Sequence, residues 1–212
     1  MEMSLLQSQT AAGIESFLAS TKYQCDNGKL HTIEKFLLSC CEQMKQPCAY
    51  HFILKINIFA LADMTQVTDY LRRSLPCVMW LWSKEHSKNS SSHVHLVLVV
   101  DNKLTHLYKV SRLRKSLEAA FSIDQPYGGF IESVALAKRK VGNKSSYHLL
   151  KSNMQDAMMR YCYQAKLDQK KGVKEQQTFG YSRKATTTHS AWRRSALSQW
   201  VQACWQGPPR HT

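Results

Sequence analysis

The stretch Ser92-His93-Val94-His95-Leu96-Val97-Leu98-Val99-Val100 sets two imidazoles one residue apart at the head of an aliphatic, valine-rich run. Such a run reads as a β-strand, on which successive side chains point to opposite faces. His93 and His95 therefore share one face, while Val94, Leu96, Leu98 and Val100 share the other. Upstream, Phe52, Leu54, Ile56 and Ile58 line one face of a first strand that begins near Tyr50, and Val78, Trp80 and Trp82 line one face of a second. Between them, Val67, Tyr70, Leu71 and Leu75 recur at helical spacing and predict a crossover helix over 65–75. All three apolar strand faces fall on even positions. Glu85, His93 and His95 thus lie on the opposite side, and a hairpin turning over 87–92 with Glu85 facing His95 brings the three together.

Downstream, the pattern predicts a basic amphipathic helix over 107–121, then a turn at Pro126-Tyr127-Gly128-Gly129. A fourth strand over 130–137, a short fifth over 147–150 and a helix over 153–167 follow. A lysine-rich linker spans 168–174, and Leu197, Trp200, Val201 and Cys204 mark a last amphipathic helix over 190–205. The first 46 residues read as a helical extension in two pieces, the second over 32–44 after the break Asp26-Asn27-Gly28. The order of elements predicts an α+β domain over 47–183 with a mainly antiparallel sheet, and a tail over 184–212.

Lys and Arg number 29 against 15 Asp and Glu, a net charge of +14 over 212 residues, which favours an anionic partner such as nucleic acid. The seven cysteines form no C-x-x-C pair and read as reduced thiols of a cytosolic protein. No signal-peptide pattern opens the chain, no stretch is long and apolar enough to span a membrane, and no Walker motif is present.

Two histidines and a carboxylate suit a divalent ion that serves phosphate chemistry, because they leave positions open for substrate oxygens. Isolated, an H-x-H pair is more often two polar residues on a solvated face; Glu85 and the apolar flanks favour a site here. Mg²⁺ or Mn²⁺ is the expected ion. Tyr163-Gln164-Ala165-Lys166 places a phenol and an ammonium on one helix face. A tyrosine attacks phosphorus only when helped to shed a proton whose ordinary pKa is about 10. Met154, Met158, Tyr161 and Ala165 form an apolar stripe that assigns Tyr161 to the core. Tyr163 instead shares its face with Arg160, Lys166 and Lys170, a cationic surface suited to phosphates.

With these residues assembled, the chain resembles the HUH endonuclease superfamily of rolling-circle replication initiators, relaxases and transposases. Its nearest resemblance is to the single-tyrosine, inovirus gene-two-type replication proteins. The resemblance spans about 50–183. It rests on His93-Val94-His95 preceded by Trp82-Ser83-Lys84-Glu85-His86, on Tyr147-His148-Leu149-Leu150, on Tyr163-Gln164-Ala165-Lys166 and on Thr178-Phe179-Gly180-Tyr181-Ser182-Arg183. Where many relatives carry a Gly-rich turn before the histidines, this turn is rich in Ser and Asn. The resemblance implies a ferredoxin-like core with a five-stranded antiparallel sheet, Tyr163 as nucleophile, Lys166 as its electrostatic helper, and His93, His95 and Glu85 as metal ligands. It also implies site-specific nicking and rejoining of single-stranded or hairpin origin DNA through a 5′-phosphotyrosine, in a bacterial or phage-infected cell. A host helicase would then do the unwinding. Arg112, Arg114, Lys115, Lys138, Arg139, Lys140, Arg160, Lys170 and Arg183 are the expected phosphate contacts. A non-catalytic DNA-binding regulator on the same fold, or a relaxase or transposase with the same chemistry, are the alternatives.

Overall fold

The computed structural model describes residues 2–55, 64–87, 90–105, 130–133, 147–167 and 178–185. Two helices lead, α1 (Glu2–Ser20) and α2 (Asn27–Gln43), followed by β1 (Pro47–Lys55), α3 (Met64–Ser74), β2 (Val78–Ser87) and β3 (Ser90–Asp101). Then come β4 (Phe130–Ser133), β5 (His148–Leu149), α4 (Met154–Tyr161) with a 3-10 turn over Cys162–Ala165, and β6 (Phe179–Tyr181). Every described strand pair is antiparallel, in the order β4-β1-β3-β2-β6, with β5 sharing the edge of β1 that β4 also occupies. The first four strands thus lie in the spatial order 4-1-3-2 of a ferredoxin-like sheet, in the α+β class that the sequence predicts. The expected basic helix over 107–121, the linker over 168–174 and the helix over 190–205 lie outside the described residues.

Parity decides the two layers. Even positions Tyr50, Phe52, Leu54, Trp80, Trp82, Leu96 and Leu98 pack with Met64, Val67, Leu71 and Leu75 of α3 and its C-terminal turn. Odd positions Ala49, Met79, Leu81, Val97 and Val99 join Leu6 and Phe17 of α1, Ile33 and Leu37 of α2, and Met154, Met158 and Tyr161 of α4. The N-terminal helices, predicted as an extension, therefore share one core with the sheet.

Local chemistry sets the ends of these elements. Asp26 does not merely break the chain: its side chain accepts from the Lys29 amide at 3.1 Å and caps α2, which begins at Asn27 rather than Thr32. An N-cap of this kind contributes about 0.5–2 kcal/mol. Buried Asp101, at the end of β3, accepts from the amides of Lys45, Gln46 and Lys103 and so ties the α2–β1 connection to the central strand. On α1, a Cβ on Gly13 would stand 2.7 Å from both the Gln155 carbonyl oxygen and the Met158 Cβ, so α1 lies directly against α4. Gly180 likewise lets β6 pass under the Trp82 indole, 2.6 Å from where its Cβ would be.

Candidate metal centre

Glu85 lies two residues before the end of β2, and His93 and His95 lie in the first half of β3. The strands pair Glu85 with His93 and Ser83 with His95, which corrects the expected pairing of Glu85 with His95. The reason lies in the hairpin, where β3 already begins at Ser90 and a register shift falls between Glu85 and Ser87. A displacement of two residues preserves parity, so all three side chains still converge on the odd face. Their ligand atoms lie within 4.8 Å of one another, and Glu85 Oε2 stands 3.4 Å from His93 Nε2 and 3.3 Å from His95 Nε2. Glu85 and His95 are buried and His93 half-buried. Burial works to raise the Glu85 carboxyl, but the adjacent imidazoles of His93 and His95 outweigh it and bring its pKa down to about 2. The carboxylate is therefore ionised at any ordinary pH.

This donor set fits a divalent cation. Glu85 Oε1 and His95 Nε2 are buried and have no hydrogen-bond partner, an arrangement that costs free energy unless something else meets them. Two imidazole nitrogens and one carboxylate are the ligand types such an ion takes, and three protein ligands leave positions for substrate oxygens. The cluster can hold a metal ion.

Beside it lies Tyr163. The α-helix predicted to run to residue 167 ends at Tyr161, and the chain tightens into the 3-10 turn before Lys166 forms a β-bridge with Cys25. Asp26 donates its amide to the Ala165 carbonyl at 2.8 Å, and Leu167 donates to the Gln24 carbonyl at 2.9 Å. The α1–α2 linker thus stitches down the turn that carries Tyr163. The Tyr163 ring packs edge-on to His95 with centroids 5.6 Å apart, and Tyr163 Oη accepts from Lys166 Nζ at 3.2 Å.

Lys166 departs from the expected cationic surface. It is 1 % exposed, and its Nζ sits 3.1 Å from the ring centroid of Tyr23 and 4.3 Å from that of Tyr163. Among the described residues no carboxylate pairs with it. Two aromatic faces compensate part of the cost of burying an ammonium. Tyr23, from a segment in which the sequence shows no chemistry, is the aromatic partner that sequence reading missed.

Tyr161 faces the core, as the apolar stripe predicts, and its ring meets two further histidines edge-on, His51 of β1 at 5.9 Å and His148 of β5 at 5.7 Å. Buried His51 places Nε2 3.0 Å from His95 Nδ1. Its odd position on the strand beside β3 is the one signal in the sequence that pointed to it, and that signal becomes legible only once β1 and β3 are known to pair. Arg160 is half-buried on α4, and exposed Arg183, just past β6, offers its carbonyl to Gln43. Arg112, Arg114, Lys115, Lys138, Arg139, Lys140 and Lys170 lie outside the described residues, and so does the His86 side chain. No helix among the described residues is long and apolar enough to cross a membrane. No protein-family model, curated protein or solved structure matches the chain.

Proposed function

We propose that this protein is a metal-assisted DNA strand transferase of the HUH type, which nicks and rejoins single-stranded or hairpin origin DNA to initiate rolling-circle replication. The observation that carries the reading is the meeting, in one corner, of the Tyr163 phenol, the Lys166 ammonium and the Glu85-His93-His95 cluster. The net charge of +14 and the ferredoxin-like strand order support it.

Mg²⁺ or Mn²⁺ is the proposed ion, held by Glu85, His93 and His95; when bound it would polarise the scissile phosphate and neutralise charge on its oxygens. The chain's own residues do the rest. Tyr163 Oη attacks the phosphorus, a new P–O bond to the phenol forms, and the bond to the 3′ oxygen breaks. The phenolic proton leaves to solvent, and the departing 3′ oxygen takes one up as a free 3′-OH. Lys166, already donating to the phenol oxygen, holds it in line and compensates the negative charge that appears there during attack. Packing of the Tyr163 ring on His95 limits its rotation and keeps the phenol beside the metal ligands. In rejoining, a 3′-OH attacks the phosphotyrosine and restores the phenol, so the bond energy is conserved without an external source. Arg160, and the basic residues outside the described part of the chain, would hold the DNA backbone.

The test is incubation of the full chain and Mn²⁺ with a labelled pool of random single-stranded and hairpin oligonucleotides, followed by a denaturing gel. A protein–DNA band that survives denaturation, and that Tyr163→Phe abolishes while DNA affinity stays nearly unchanged, is the expected result. Absence of any such band, or its persistence in Tyr163→Phe, would refute the proposal. Binding without covalent capture would point to the regulator instead.

A further inference from the structure

We infer that His51 is a positioning residue of the metal centre: it accepts the proton of His95 Nδ1, and so fixes the tautomer in which His95 Nε2 offers its lone pair to a metal. This rests on the metal site proposed above. The two nitrogens lie 3.0 Å apart between two buried rings, so one proton must sit between them. Ligation through His95 Nε2 needs that nitrogen bare, which places the proton between the rings on His95 Nδ1 with His51 Nε2 accepting it. The Glu85 carboxylate oxygen 3.3 Å from His95 Nε2 would otherwise draw a proton onto that nitrogen.

The surroundings hold His51 in this role. It stands on β1, directly beside β3, where Ile53 pairs with His95 and His51 with Val97. Its ring meets His95 at 5.1 Å and rests against the edge-on ring of fully buried Tyr161. Tyr161 thereby acquires a task distinct from that of Tyr163: it is the wall that keeps the acceptor aimed.

The experiment is calorimetric titration of the full-length chain with Mn²⁺ at neutral pH, with thermal midpoints of the metal-free proteins measured alongside. His51→Phe keeps a ring against Tyr161 and removes the acceptor; His51→Gln puts an amide oxygen near the place of Nε2. Loss of an outer hydrogen-bond partner of a ligating histidine lowers metal affinity about 10–100-fold, and that is the effect expected for His51→Phe, with most of it recovered in His51→Gln. Parent-like affinity in His51→Phe would overturn the inference and leave the metal site standing. A parent chain that takes no Mn²⁺ would overturn both. If His51→Phe fails to fold, the ¹⁵N shifts of the His51 and His95 rings in the Mg²⁺-loaded parent decide the matter: a proton on His95 Nδ1 with a bare His51 Nε2 is expected, and a protonated His51 Nε2 refutes the assignment.

Discussion

Replacing His148 with Phe should make the protein much less sensitive to mild acid. His148 is buried on β5 against Tyr161, and its Nε2 has no hydrogen-bond partner. Burial first, and then the Arg160 charge, push its pKa from the ordinary 6.5 down to about 4, with Asp156 pulling weakly the other way. Between those two values the unfolded chain takes up a proton that the folded chain refuses. Stability therefore declines as pH drops below about 6.5 and stops declining on this account below about 4. A gap of about 2.5 pH units, at about 1.4 kcal/mol for each, amounts to about 3.5 kcal/mol in full, of which about 3 kcal/mol falls between about pH 7 and pH 4. That is a large fraction of the total stability of an ordinary domain. Urea unfolding of parent and His148→Phe at about pH 7 and pH 4, in chelator, measures it. Phe keeps the ring contact with Tyr161, and the other titrating groups cancel between the two proteins. The parent should lose about 3 kcal/mol more than the variant over that interval. Parallel pH dependences would show that the burial of His148 does not carry the penalty derived from it.

Mn²⁺ at about a hundred times its dissociation constant should stabilise the parent by about 2.7 kcal/mol, visible as a raised melting temperature that chelator reverses. Glu85→Ala should abolish that rise. Lys166→Met should slow formation of the covalent DNA adduct about 10–100-fold, the kinetic equivalent of a charge-assisted hydrogen bond of about 1.5–3 kcal/mol; an unchanged single-turnover rate would remove Lys166 from the mechanism. Gly13→Ala forces a methyl to within 2.7 Å of the Gln155 carbonyl and of Met158. Chemical denaturation should show a loss of about 1–3 kcal/mol.

Periodicity carried the reading of the sheet because strand faces have a period of two: the even and odd sets of β1, β2 and β3 separate into the two cores. The candidate metal triad is legible for the same reason, since parity survives a two-residue change of register even though the partner of Glu85 does not. What a single segment cannot encode is contact between segments. His51 looks like any strand histidine until β1 lies beside β3, and Tyr23 looks like a loop residue until the bridge between Cys25 and Lys166 brings it over the ammonium. Lys166 misled the reading because its helical spacing implied a solvated face. A switch from α to 3-10 geometry at Cys162, followed by an extended bridge, turns it inward instead.

The shared core of the leading helices and the sheet bears on how the molecule can be dissected. A fragment starting at Pro47 would retain Glu85, His93, His95 and Tyr163, yet Met79, Leu81, Val97 and Val99 would lose the helices packed on them. Lys166 would lose the Tyr23 ring and its turn two of its backbone anchors. Such a polypeptide would display a broad oily surface and self-associate. Trimming to the motif-bearing segment is thus the wrong route to a minimal protein, and the leading helices belong in any recombinant version used to test the proposed chemistry.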